Sequence, residues 1–74
     1  MKKLIARKTR EEMLRTHPII SNIEGWFIRI AEPSNNIFLV EATDQYGRIV
    51  SKSGSDPDNL VKEVEKEIFE IIFH

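Results

Sequence analysis

The chain contains no cysteine and only two histidines, His17 and His74. A disulfide is therefore excluded, and a zinc site is not expected because the two imidazoles are far apart with no thiolate beside them. No run approaches the roughly 20 apolar residues of a membrane-spanning helix. Leu4, Ile5 and Ala6 fall short of the roughly 7–15 apolar residues of a secretory signal. We expect a cytoplasmic protein without metal or cofactor.

The sequence also offers little for nucleophilic catalysis, which needs a nucleophile with a base held beside it. Lys52 stands between Ser51 and Ser53, but strand alternation would point the amine away from both hydroxyls. No base is specified for either serine. We therefore expect a non-enzymatic protein.

Length limits the chain of 74 residues to one hydrophobic core, so residues 1–74 are interpreted as a single domain. A domain this small buries only about 60% of the surface that its unfolded chain exposes. Small natural domains gain stability from disulfides, metals or a partner subunit, and the first two are not expected here. Composition therefore favours self-association.

Charge is divided unevenly along the chain, although the net charge is only −1. Residues 1–16 have a balance of +4, and the remainder has a balance of −5. The basic segment lies near the acidic C-terminal helix, is simply solvated, or forms an arm that contacts nucleic acid or a membrane. Residues 1–8 would then be a flexible basic arm or an extra edge strand. The residues of such an arm that could contact phosphates are Lys2, Lys3, Arg7, Lys8 and Arg10.

A short helix is expected from about residue 10 to Thr16. Thr9 and Glu12 have the spacing of a capping box, in which each side chain bonds the other residue's backbone N–H. Pro18 disfavours helical geometry in the residue before it and so ends the helix. The residues expected to follow as an apolar connector are Ile19, Ile20 and Ile23.

From Gly25 onward the apolar residues alternate, which predicts strands with one face in the core. Turn residues at 33–35 and at Asp44–Gly47 divide this region into a meander of three antiparallel strands. The residues predicted on the core face are Trp26, Ile28, Ile30, Phe38, Val40, Ala42 and Ile49. Those predicted on the opposite face are Phe27, Arg29, Leu39, Glu41, Arg48, Val50 and Lys52.

A long amphipathic helix is predicted at the C-terminus, with Ser55 or Asp56 as N-cap and Pro57 in its first turn. Its apolar stripe comprises Leu60, Val61, Val64, Ile68, Ile71 and Ile72. Phe69 and Phe73 lie beyond the edge of that stripe. The predicted fold is α+β with the order α-β-β-β-α and the long helix packed on one sheet face.

This order of elements resembles that of the double-stranded RNA-binding domain over about residues 9–73. That family places lysines at the start of its second helix to contact phosphates. Here the same position holds Asp56-Pro57-Asp58-Asn59, whose carboxylates would oppose a polyanion. The resemblance therefore concerns topology and implies no RNA binding.

Protein association is the functional class that the sequence favours, because several apolar residues have no obvious partner within the chain. The predicted interaction residues are Phe27, Leu39, Val50, Phe69 and Phe73. The competing interpretation is that the N-terminal segment covers the open sheet face with Leu4 and Ile5. The leading hypothesis is a self-associating module, and the alternative is a nucleic-acid-associated accessory protein that uses the basic arm.

Overall fold

The computed structural model describes residues 9–73, which form two helices and four strands. In chain order they are α1 (Arg10–Thr16), β1 (Ile19–Ile20), β2 (Trp26–Ser34), β3 (Ile37–Asp44), β4 (Ile49–Gly54) and α2 (Pro57–Ile72). The strands make one antiparallel sheet in the order β1-β2-β3-β4. The predicted α+β class is confirmed, but the predicted number of three strands is wrong because the sheet has four. Ile19 and Ile20, expected as a connector, pair with Ile28 and Phe27.

Both helices begin as their sequences predict. The Thr9 hydroxyl accepts from the Glu12 backbone N–H at 3.2 Å, and the Glu12 carboxylate accepts from the Thr9 backbone N–H at 2.9 Å, which completes the capping box. The α2 N-cap is Asp56, followed by Pro57 in the first turn. These caps satisfy backbone donors that the first helical turn leaves without partners.

The β2–β3 hairpin turns at Asn35 and Asn36, whereas the predicted three-residue loop at 33–35 is centred on Ser34 and would pair Ile28 with Val40. Asn36 has a φ of 63°, a left-handed conformation that asparagine tolerates better than most residues. Ile28 consequently lies opposite Ala42 rather than Val40. This shift of two residues leaves every side chain on its predicted face, because strand side chains alternate with a period of two. Pro33 lies inside the strand, at a register irregularity.

The register of the β3–β4 hairpin differs by one residue from the predicted register, and this difference reverses the predicted faces of β4. Gly47 has a φ of 88° and closes a three-residue loop, with its N–H bonded to the Asp44 carbonyl at 3.2 Å. Ala42 therefore pairs with Val50, not with Ile49. Val50 is buried, whereas Ile49 is 62% exposed, so the prediction for both residues is wrong. Lys52 moves with Val50 to the face covered by α2.

The main core lies between α2 and one face of the sheet. Its buried members are Trp26, Ile28, Val40, Ala42, Val50, Leu60, Val64 and Ile68, with Ile23, Phe38 and Val61 packed at its margin. Ile30 was predicted in this core but is exposed, as are Ile71 and Ile72. Trp26 and Ile28 are the residues of β2 in this core cluster, and the exposure of Ile71 and Ile72 shows that the last turn of α2 extends past it.

The short helix α1 covers the other face of the sheet. Met13 is buried there, and so is Phe27, whose side chain alternates with those of Trp26 and Ile28. The Arg10 guanidinium lies over the Phe27 ring, 5.9 Å from its centroid. The sheet thus has helices on both faces. No helix within residues 9–73 is long and apolar enough to cross a membrane.

Candidate functional site

A polar network joins the end of α1 to the centre of the sheet. The His17 Nδ1 atom lies 2.7 Å from the Thr16 hydroxyl, and its Nε2 lies 3.1 Å from one Glu41 carboxylate oxygen. The other Glu41 oxygen accepts from Arg29 at 3.2 Å, a cross-strand pair between two residues that the sequence predicts on one face of the sheet. Because an ionised carboxylate only accepts hydrogen bonds, the Nε2 atom of His17 must carry the proton. The network fastens α1 to β2 and β3.

An open groove of about 540 Å³ lies beside this network. Its walls are Met13, Thr16, His17, Arg29, Glu41, Thr43, Gly47 and Ile49. The chain of contacts from hydroxyl to imidazole to carboxylate contains the same groups as a nucleophilic triad. The Thr16 hydroxyl oxygen also lies 3.3 Å from the Met13 carbonyl, the local contact typical of a helical threonine, but its single hydrogen cannot be donated both there and to His17 Nδ1.

The network predicts how Glu41 titrates. The hydrogen bond from His17 lowers the pKa of Glu41 below its ordinary value of 4.5, with further lowering by Arg29, and burial opposes both. A depressed folded-state pKa contributes stability above the unfolded value, and that contribution disappears as pH falls through the folded pKa. We expect His17→Ala to raise the pKa of Glu41, measured by carbon NMR of its carboxyl group. An unchanged Glu41 pKa in that variant would contradict the network.

The structure separates the five residues predicted to mediate association. Phe27 and Val50 are buried, by α1 and by α2 respectively, so their predicted exposure is wrong. Leu39 is partly buried on the face that α1 occupies. Phe69 and Phe73 are exposed on α2, and their ring centroids lie 4.4 Å apart. Two of the five residues therefore lie together on an open surface.

The last turns of α2 form an exposed apolar surface, which we call the apolar tip. Its residues and exposed fractions are Phe69 at 55%, Ile71 at 45%, Ile72 at 39% and Phe73 at 69%. Sequence reasoning assigned Ile71 and Ile72 to the buried stripe. A signal was present in the lengths: a helix of 16 residues extends about 24 Å, whereas the six residues of β4 extend about 20 Å.

A groove of about 300 Å³ adjoins the apolar tip. Ile71 and Ile72 form one wall, and the loops at Glu24–Gly25 and Asp44–Arg48 form the others, together with Trp26. Arg48 lies over the Trp26 ring at 5.3 Å from its centroid and pairs with the buried Asp44. The tip thus borders a concave surface with polar walls.

Of the five residues predicted to contact nucleic acid, the structure describes Arg10, whose guanidinium lies over the Phe27 ring. Its other residues, Lys2, Lys3, Arg7 and Lys8, lie outside the described residues, and so do Leu4 and Ile5. Binding of nucleic acid by this arm stays a prediction. In the part of the chain that the structure describes, no three His, Asp or Glu side chains are grouped to hold a metal ion.

Comparisons with known proteins found no relative of this chain. No protein-family model, no curated protein and no solved structure matches this chain.

Proposed function

We propose that the chain is a small non-enzymatic module that self-associates through the apolar tip. The observation that carries this proposal is the exposure of four large apolar side chains on consecutive turns of one helix. Single exposed apolar residues are ordinary, but two exposed aromatic rings in contact with each other, with two exposed isoleucines on the same end of the helix, are typical of interaction surfaces. Phe69 and Phe73 are the residues expected to contribute most.

The size of the apolar tip predicts a weak dimer. At about 200 Å² for a full aromatic or large aliphatic residue, the exposed fractions correspond to about 400 Å² per copy. Two copies would bury about 800 Å², below the roughly 1,200 Å² of a stable interface. Dissociation constants in the micromolar range or weaker are therefore expected, with rapid exchange between monomer and dimer.

A second copy suits the apolar tip because a two-fold axis pairs a surface with itself. Antiparallel contact of two α2 ends would place Phe69 of one copy against Phe73 of the other. Tilted aromatic rings pack favourably in such pairs, beyond the effect of area alone. The contact would also shield Ile71 and Ile72 from water.

Phe69→Glu is expected to weaken self-association at least about 30-fold, because it removes an aromatic contact and places a charge in the interface. The matched control is Ile37→Glu, which makes the same kind of change at a 44% exposed residue of β3. Sedimentation equilibrium between micromolar and near-millimolar concentration would measure both variants. Far-ultraviolet circular dichroism would check that each variant folds.

A wild-type protein that stays monomeric at near-millimolar concentration would contradict the proposal. Equal effects of Phe69→Glu and Ile37→Glu would contradict the assignment to the apolar tip.

The alternative function rests on the +4 balance of residues 1–16. It predicts binding to duplex DNA or RNA that weakens steeply as salt rises, and absence of binding at low salt would remove it.

A further inference from the structure

Within residues 9–73, β4 is an open edge of the sheet. No strand among residues 9–73 pairs with the outer side of β4, whose six residues bond to β3 on the inner side only. The Asp44 N–H donates to the Arg48 carbonyl at 3.3 Å, so that pair is a hydrogen-bonded one. Because antiparallel pairs alternate, the backbone groups of Ile49, Ser51 and Ser53 point outward. All three residues are exposed.

An acidic row on α2 runs alongside this open edge. Glu67 pairs with Lys52 at 3.1 Å, and this bond, with smaller contributions from Glu63 and Glu70, raises the pKa of Lys52. Glu63 and Glu70 lie four residues before and three residues after Glu67 on α2, a spacing that places all three carboxylates on the side of the helix that faces Lys52. Lys52 offsets one negative charge of three. The open edge thus combines unpaired backbone positions with a negative wall.

The acidic row also has a defined direction. The Leu60 side chain comes within 3.4 Å of a Cβ built on Gly54, so the first turns of α2 lie over the end of β4. Glu63 consequently lies toward Gly54, and Glu70 lies toward Val50. Their separation along α2 is about 10 Å, and Val50 and Gly54 are about 13 Å apart along the strand. Two basic side chains four residues apart on an added strand would match the row.

A second copy does not suit this edge. Two-fold pairing of β4 with β4 would bring the acidic rows of both copies to the same seam, where like charges repel. Lys52 in the middle of β4 is also the kind of edge residue that opposes pairing between identical sheets. A basic partner avoids the repulsion between acidic rows, and the like charge that it meets at Lys52 is already paired with Glu67.

We propose that the β4 edge binds an extended basic segment of another protein, which adds to the sheet as a fifth strand. Main-chain hydrogen bonds to Ile49, Ser51 and Ser53 supply the attachment. Basic side chains opposite Val50 and Gly54 contact the acidic row and set the specificity. The strand contacts lie on β4, away from the apolar tip, and Glu70 is the one residue of the acidic row that neighbours the tip on α2.

The probe is an end-blocked peptide, Thr-Lys-Val-Thr-Val-Lys-Thr, whose lysines are four apart on one face. Its control, Thr-Lys-Val-Thr-Lys-Val-Thr, has the same composition but directs the lysines to opposite faces. We expect the first peptide to bind about threefold to tenfold more tightly at low salt. Amide exchange at Ile49, Ser51 and Ser53 should slow on binding, whereas the inward amides of Val50 and Lys52 are expected to be protected already.

Ser51→Pro tests the strand addition itself. Proline removes the outward N–H yet is tolerated on an edge strand, so the sheet should persist while peptide affinity falls at least about tenfold. Ser51→Thr retains the N–H and should bind normally. Glu63→Gln with Glu70→Gln should remove the preference between the two peptides, whereas Glu11→Gln on α1 should not.

Three outcomes would overturn the proposal. The first is binding that Ser51→Pro leaves unchanged, and the second is equal affinity of the wild-type protein for both peptides. The third is slow exchange of the Ile49, Ser51 and Ser53 amides in the free protein, which would mean that the edge is already filled. Failure here is distinguishable from failure of the proposed self-association. Ser51→Pro should leave the dimer intact, and Phe69→Glu should leave peptide binding intact.

Discussion

Replacing Ile68 by alanine is expected to lower the free energy of unfolding by about 3–4 kcal/mol, since it removes three buried carbons and leaves a cavity between α2 and the sheet. Ile68 is 0% exposed and belongs to the cluster that contains Trp26 and Ile28. A domain of 74 residues has a total stability of about 4–11 kcal/mol. A single truncation at this position should therefore remove a large fraction of it.

Ile72→Ala is the matched control for Ile68→Ala, because the two residues are one turn apart and undergo the same chemical change. Ile72 is 39% exposed, so its truncation is expected to cost about 1 kcal/mol or less. Urea unfolding followed by circular dichroism would compare the two variants. Similar midpoints for both would contradict the position of α2 on the sheet.

Asp44→Ala is expected to cost about 2–4 kcal/mol, because a buried carboxylate with several partners would be lost at once. One carboxylate oxygen accepts from the backbone N–H groups of Tyr46 at 3.0 Å and Arg48 at 2.9 Å. The other pairs with the Arg48 side chain, which lies over Trp26. The substitution would therefore loosen the β3–β4 turn and the packing of Arg48 against the core.

Asp44→Asn separates the two roles of this side chain. The amide oxygen can still accept from the backbone, but the charge that pairs with Arg48 is gone, so a smaller loss than in Asp44→Ala is expected. Thermal unfolding would rank the wild type, the asparagine variant and the alanine variant in that order. An alanine variant as stable as the wild type would contradict the importance of the turn.

The hairpins show how far a sequence pattern can predict strand register. Alternation identified the core face of β2 and β3 correctly, since the two-residue error at Asn35–Asn36 preserves the face. In β4 the loop contains one glycine bulge at Gly47, and a one-residue difference moved Val50 inward and Ile49 outward. Both assignments satisfied the apolar pattern, because isoleucine and valine are adjacent. Only the loop geometry distinguishes them.

The functional surfaces were predictable to different degrees. Phe69 and Phe73 were identified from their angle on the α2 helical wheel, which depends on helix geometry alone. Phe27 was misjudged because its burial depends on where α1 docks, a long-range contact that local patterns do not specify. Recognising the acidic row required the correct face for Lys52, which in turn depends on the correct register of β4.

The most direct test of association through the apolar tip is a concentration series of amide NMR spectra of the wild-type protein. Dilution from near-millimolar to low micromolar concentration should shift the amides of Phe69, Ile71, Ile72 and Phe73, and those of the adjoining 44–48 loop. The amides of Ile49–Gly54 should stay constant. Shifts confined to β4, or spectra that do not change with concentration, would contradict self-association through the end of α2.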